Sequence, residues 1–279
     1  MAWYAANARD LPWRRTTDAW SVLVSEVMLQ QTPVTRVLPI YLEWVARWPT
    51  AADLAASSAG DAVRAWGRLG YPRRALRLHE AARVITTSYG GVVPSSVDAL
   101  LALPGVGAYT ARAVASFAYG QRHPVVDTNV RRVLARVVDG VAQAGAPRTT
   151  ADLAAMTPWL PADPGSAATF GVALMELGAL VCAARAPRCG SCPLAADCAW
   201  ARAGRPAYAG VKTASQSWAG TDRQARGAVL AELRRSPHPV PVAQLAEAWP
   251  ESQQRGRAVD SLLVDGLVER DGAALRLPS

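Results

Sequence analysis

The chain has 279 residues, 51% of them hydrophobic, which is enough apolar material for two or three compact units. Its formal net charge is +8, a surplus that points toward a polyanionic partner. No apolar run is long enough to span a bilayer and no leader pattern opens the chain, so a cytoplasmic location is expected and a membrane protein is not.

Alanine is abundant and phenylalanine scarce, which favours packed helices. A short helical pattern near the start leads into Leu11-Pro12-Trp13-Arg14. Asp18 is placed to cap a helix in which Trp20, Leu23, Val24, Val27 and Met28 share one face. Thr32-Pro33 should end that helix and open the next, with threonine as N-cap and proline at the first helical position. Helical patterns follow over 53–69, 74–89 and 96–103. Pro104-Gly105-Val106-Gly107 breaks the chain, 108–119 resumes it, and another helix follows Asp127. Residues 203–221 lose hydrophobic periodicity and read as a linker, which contains Lys212, the only lysine among 30 basic residues. The last segment predicts three helices (223–235, 242–249 and 253–264). Two short strands then flank Asp271-Gly272, the order of a winged helix.

Four patterns carry chemistry. Leu103-Pro104-Gly105-Val106-Gly107-Ala108-Tyr109-Thr110 puts two glycines in a turn between helices, where backbone amides can face a phosphate. Ser25 to Thr32 places Glu26 and Gln30 four apart on one helix face; alone, that is an ordinary solvated glutamate. Val125-Val126-Asp127-Thr128-Asn129 reads, alone, as helix capping. All four cysteines fall in one 17-residue window, Cys182, Cys189, Cys192 and Cys198, spaced C-x6-C-x2-C-x5-C. Such a cluster in a cytoplasmic chain builds a metal site; one C-x2-C knuckle instead of two favours iron–sulfur over zinc.

In chain order the segment Ser25 to Thr32, the Leu103–Thr110 turn, the Asp127 segment and the cysteine loop follow one another, and together they resemble the MutY-type adenine DNA glycosylases within the endonuclease III superfamily. The resemblance covers about residues 3–202. It implies an all-α, two-lobed helix-hairpin-helix glycosylase fold. Residues 18–121 would form a six-helix barrel carrying the hairpin, and 1–17 with 122–202 an iron–sulfur cluster lobe. The linker at 203–221 and a small winged-helix-like domain at 222–279 complete the expected organisation, with the active cleft between the lobes. The implied partner is double-stranded DNA containing a mispaired adenine, bound by a nucleoid-associated monomer.

Residue by residue, the resemblance makes Glu26 the general acid and Asp127 the second carboxylate. Adenine leaves readily only when protonated, and departure creates an oxocarbenium-like sugar that a fixed carboxylate stabilises. Tyr109 and Asn129 match residues lining the catalytic pocket, and Arg14 and Glu176 match further base-pocket positions. Gln30, Gln31 and Tyr71 match residues that contact the duplex or wedge into it, filling the gap left by the extruded base. Gly105, Val106, Gly107 and Thr110 belong to the phosphate-gripping hairpin, with Arg185 and Arg188 added from the cysteine loop. The four cysteines match ligands of a [4Fe–4S] cluster.

Departures matter too. Bifunctional relatives place a Schiff-base lysine where this chain has Tyr109, so base excision without efficient strand cleavage is expected. Thr128 stands where many members have glycine. No Nudix-like domain follows the linker, which leaves the opposite-base preference open. A mismatch thymine or uracil glycosylase and a non-catalytic iron–sulfur DNA-binding protein remain alternatives.

Overall fold

Asp18 Oδ2 accepts the amide of Ser21 at 2.8 Å and so starts the helix Ala19–Leu29, whose Leu23, Val24 and Met28 are fully buried. In this computed structural model residues 1–208 and 218–279 are described; the middle of the expected linker, Lys212 included, lies outside the described residues. The described residues form two compact units. One contains residues 1–22, 95–101 and 106–208, the other 23–94, 102–105 and 218–279.

In the second unit the helix Val34–Arg47 begins one residue later than the threonine cap predicts. Pro33 occupies the N-cap, and the Thr32 hydroxyl instead donates to the Gln30 carbonyl and accepts from Arg74. The single helix expected over 53–69 is two, Ala51–Ala55 and Ala59–Ala65. Thr50 and Asp53 form a capping box at the first, and Ser58 accepts the Asp61 amide at 3.0 Å to start the second. The helix Arg73–Ser88 buries Leu78, Ala81, Ala82 and Ile85. Trp44 meets Trp48 and Trp66 edge-on, with ring centroids 4.7 and 5.6 Å apart.

The first unit packs the helices Thr128–Val137 and Pro164–Leu180 through Val130, Val133, Leu134, Leu174 and Leu177, with Met156 and Trp200 closing the core. Gly178 makes the close approach possible. A Cβ there would lie 2.7 Å from Asn129 Cβ and 2.9 Å from its carbonyl oxygen. Gly178→Ala is therefore expected to cost about 1–3 kcal/mol, measurable by denaturant unfolding.

The C-terminal residues form the helices Asp222–Arg235, Leu245–Ala248 and Ser252–Val264. Strands β1 (Val240–Pro241), β2 (Glu269–Asp271) and β3 (Ala274–Arg276) make an antiparallel sheet in the order β1-β3-β2, pairing Val240 with Leu275. Sequence reading missed β1, since two residues carry no alternation. Pro241 is tolerated because its strand lies at the sheet edge.

Candidate active site

Glu26 is only 5% exposed and sits beside Ser25, itself buried, on the helix Ala19–Leu29. It is therefore not the solvated glutamate that its helical spacing alone suggests. The C-terminus of the same helix is held by one side chain. Arg74 Nη1 donates to the carbonyls of Val27, Met28 and Gln30 at 2.7, 3.0 and 2.7 Å. Its Nη2 reaches Thr32 Oγ1 at 2.9 Å and the Gly70 carbonyl at 2.7 Å. A cation at the end of a helix complements the peptide dipoles. Burial lowers the Arg74 guanidinium to about 10, so it stays charged at neutral pH.

Two left-handed residues frame this hub: Gln31 at φ 52° and Tyr71 at φ 54°. For residues with a Cβ that conformation costs on the order of 1–2 kcal/mol, so the surroundings must hold it. Arg74 holds both loops, and its guanidinium lies 5.5 Å from the Tyr71 ring centroid. Tyr71 is nevertheless 55% exposed, a large aromatic displayed on a fixed backbone. Gln30 is half-buried and Gln31 exposed.

The hairpin joins the helices Val97–Leu101 and Ala108–Phe117. Gly105 needs its glycine twice over: φ is 78°, and a Cβ would sit 2.7 Å from Arg77 Cβ. Gly107 needs it for neither reason, since its backbone is extended and a Cβ would meet nothing within 4 Å. Val106 and Thr110 are buried, whereas Gly105 and Gly107 are exposed, so the hairpin presents its backbone at the two glycines. Tyr109 is half-buried in the first turn of the second helix.

Asp127 is the N-cap of Thr128–Val137, and it does more than cap. Its Oδ1 accepts the Val130 amide at 2.7 Å, while Oδ2 accepts Asn129 Nδ2 at 2.7 Å. Asn129 Oδ1 in turn accepts Arg132 Nη2 at 2.7 Å, and Arg132 donates onward to the carbonyls of Gly178 and Cys182, both at 2.7 Å. The carboxyl is thus oriented by a chain of hydrogen bonds that ends on the cysteine segment. Burial pushes Asp127 above the usual carboxylate range, against the pull of its Val130 and Asn129 hydrogen bonds and of Arg132.

Arg14 and Glu176 are brought together, with Arg9 added. Glu176 is fully buried and accepts Arg9 Nε at 2.8 Å, Arg9 Nη2 at 2.6 Å and Arg14 Nη2 at 2.7 Å. Burial alone would raise Glu176; the arginine hydrogen bonds overcome it and hold the carboxyl at about 2. It is charged at every physiological pH and cannot serve as a proton donor. Glu176→Gln leaves two guanidinium groups without their counter-charge, and an unfolding penalty of about 3 kcal/mol is expected. The depressed value makes this stabilisation complete above the unfolded carboxylate pKa, about 4.3, and lost as pH falls toward 2. Acid unfolding curves of the two proteins should therefore converge.

Cys182, Cys189, Cys192 and Cys198 line one cavity, walled by Val133, Val137, Leu177, Val181 and Trp200. Among the described residues, no three His, Cys, Asp or Glu side chains converge tightly enough to hold a single metal ion. Four soft donors around one apolar cavity are the donor set of a thiolate-bound metal centre. Arg136 is buried against them, donating to Cys182 Sγ at 3.2 Å and lying 4.6 Å from the Trp200 ring centroid. Burial, with added repulsion from the other three cysteines, raises the Cys192 thiol. Arg185 and Arg188 are exposed; Arg188 Nε also donates to the Leu180 carbonyl at 3.1 Å.

The doublets Arg73-Arg74 and Arg131-Arg132 have the look of solvated or phosphate-facing pairs. Three of the four are spent inside the protein. Arg131 pairs with Asp152 at 2.9 Å, while Arg74 and Arg132 hold the carbonyls described above. Arg9, Arg136 and Gly178 were not singled out; the Arg-Arg doublet beside Asp127 was the one available signal for Arg132.

A helix-hairpin-helix turn followed by a helix capped through a buried aspartate is the arrangement of a base excision DNA repair scaffold. The model of the HhH-GPD superfamily base excision DNA repair proteins matches residues 24–155. The adenine DNA glycosylase of Mycolicibacterium smegmatis is 58% identical over 272 residues, spanning 97% of this chain and 91% of that protein. A thymine/uracil-DNA glycosylase of Pyrobaculum aerophilum is 36% identical over 198 residues, covering 70% of this chain and 86% of that one. The solved structure of a thermostable thymine-DNA glycosylase superposes with a TM-score of 0.65 at 30% identity, over 72% of this chain and 93% of that one. The chain belongs to the adenine DNA glycosylases of the HhH-GPD superfamily. The expected all-α glycosylase fold agrees with these matches. Among the described residues no helix is long and apolar enough to cross a membrane.

Proposed function

We propose that the protein excises adenine from double-stranded DNA where it is mispaired with 8-oxoguanine or guanine, acting as a monomer on the nucleoid. The observation that carries this reading is Asp127, a buried carboxyl aimed by Asn129 and Arg132 when a bare cap would need neither. Glu26 delivers a proton to N7 of adenine. Asp127 stabilises the sugar cation left behind, by charge or by a transient bond to C1′ that water then breaks. Asn129 fixes the Asp127 carboxyl, and Tyr109 lines the pocket. Arg14 and Glu176, with Arg9, frame the base pocket as a fixed ion cluster.

The hairpin offers the Gly107 backbone, open where a side chain would stand, to a phosphate. Gln30, Gln31 and Tyr71 enter the duplex, and Arg185 and Arg188 grip its backbone. The four cysteines hold a [4Fe–4S] cluster; when bound, it fixes the loop that carries these arginines. Arg136 offsets the negative charge of the thiolates.

The adenine reading is preferred to the thymine one because identity to the adenine enzyme is 58%, against 36% for the thymine/uracil enzyme. Single-turnover assays on duplexes with A opposite 8-oxoguanine, A opposite G and T opposite G test it. Cleavage confined to the two adenine substrates is expected, with strand scission only after alkali. Preferred attack on T opposite G would overturn the assignment. Robust scission without alkali would overturn the monofunctional chemistry.

A further inference from the structure

We propose that the C-terminal residues 218–279 are a brace for the loop that displays Tyr71, and not a second reader of DNA. The proposal rests on Tyr71 acting as the wedge.

The contacts converge on the two ends of that loop. Arg234, from the helix Asp222–Arg235, donates to the Val63 carbonyl at 2.9 Å and also to the Gly67 carbonyl, capping the helix Ala59–Ala65 from outside. In return Arg64 donates to the Ser236 carbonyl at 2.9 Å. The Gly60 amide donates to the Pro278 carbonyl at 2.7 Å, and a Cβ on Gly60 would lie 2.4 Å from that oxygen. Past the loop, Asp265 bridges Arg226 at 2.6 Å and Arg73 at 3.3 Å, and Arg73 lies two positions after Tyr71. Residues 60–67 and 73 are thus fastened to the C-terminal part, and 68–72 span the gap.

Inside the gap one residue, Tyr71, holds a strained backbone that something must sustain. Tyr71 has φ 54°, whereas Gly67 at the edge of the gap turns at φ 53° without the Cβ penalty. Trp66 Nε1 and Arg74 Nη2 both donate to the Gly70 carbonyl. Burial draws Arg234 down to about 10, and its Nη2 is buried without a hydrogen-bond partner, so this cation is retained at a cost to stability.

The two arginines of the third C-terminal helix have partners within the C-terminal part itself. On the helix Ser252–Val264, Arg257 pairs with Asp222 at 3.1 Å, and Arg255 donates to the carbonyls of Trp249 and Pro250 at 2.6 and 3.0 Å. Arg255 is thereby folded back onto its own loop, while the Arg257 pair is solvent-exposed and is probed directly by the salt dependence below.

The test uses the full chain with Asp265→Asn and Gly60→Ala, each alone and each combined with Tyr71→Ala. Amide hydrogen exchange over 67–72 is measured in the free protein. Single-turnover excision, and the fluorescence of 2-aminopurine placed beside the mispair, are measured on DNA. Faster exchange at 67–72 is expected in both brace variants. Excision and the stacking signal should fall about tenfold with Tyr71 present and not fall further in the Tyr71→Ala background, a non-additive cycle. Unchanged exchange at 67–72 overturns the brace whatever Tyr71 does. Equal losses in both backgrounds overturn it as well. So does an Arg257→Ala variant whose salt dependence of binding flattens by about one unit, the mark of a lost phosphate contact. If exchange rises but Tyr71→Ala itself leaves excision and stacking unchanged, the wedge assignment falls while the mechanical brace stands.

Discussion

Glu26→Gln is expected to slow single-turnover excision by about 10²–10⁴-fold, or about 2.7–5.4 kcal/mol in the barrier, with duplex affinity unchanged. The substitution keeps the shape of the side chain and removes only its ability to release a proton. Glu26 is almost wholly buried on the Ala19–Leu29 helix, where a carboxyl screened from bulk water can hold a proton for the leaving base. The variant is therefore expected to bind the duplex while excising little adenine. Gel-shift titration and quenched-flow excision on the A·8-oxoguanine duplex separate the two effects. A wild-type rate would remove Glu26 as the acid, and a matching loss of affinity would recast it as a binding residue.

Much of the scaffold is legible from local rules. The apolar stripe from Trp20 to Met28 does face the core, and Asp18 does start its helix. The terminal hairpin forms as expected, but its two-residue turn is Gly272-Ala273, one position later than Asp271-Gly272: Asp271 still pairs with Ala274, and Gly272 takes φ 57°. Errors fall where two local signals compete. A continuous helix over 53–69 satisfies hydrophobic periodicity, but Ser58 and Asp61 form a new start, and capping prevails over propagation. At Thr32 the hydroxyl has a better partner than its own helix, because Arg74 arrives from 42 residues away. Nothing local announces such a partner.

Arginine use accounts for most of what stayed hidden in the site. A net charge of +8 suggests a surface dressed for phosphate. Arg74, Arg132, Arg136 and Arg234 instead direct their donors to backbone carbonyls inside the fold. A guanidinium suits this work because its five donors form a rigid fork and it resists deprotonation even when buried. From sequence each looks like one more solvated cation. Asp127 was the reverse case. Its motif was recognisable, but the partner that distinguishes a working carboxyl from a plain cap, Arg132, becomes visible only once Gly178 lets two helices close on Asn129.

Asp127→Asn separates those two roles, and it is expected to abolish excision, by about 10³-fold or more, while barely changing stability. Asparagine caps helices as well as aspartate does. It has one acceptor oxygen where aspartate has two, so either the Val130 amide or Asn129 Nδ2 loses its partner, at about 1 kcal/mol. Against that, the substitution removes a charge that burial disfavours. Because the folded carboxyl titrates above its unfolded value, the native state binds the extra proton. Ionisation of Asp127 therefore erodes stability as pH rises from the unfolded pKa through the folded one. The asparagine variant escapes this erosion, so its stability relative to the parent should improve from pH 4 toward pH 7. In the parent, excision should decline on acidification through the raised Asp127 pKa, since only the carboxylate can stabilise the sugar cation. Thermal unfolding at both pH values and a pH–rate profile check the two signs together. If the variant loses several kcal/mol at neutral pH, or retains excision, Asp127 is a helix cap and the carboxylate of the reaction lies elsewhere.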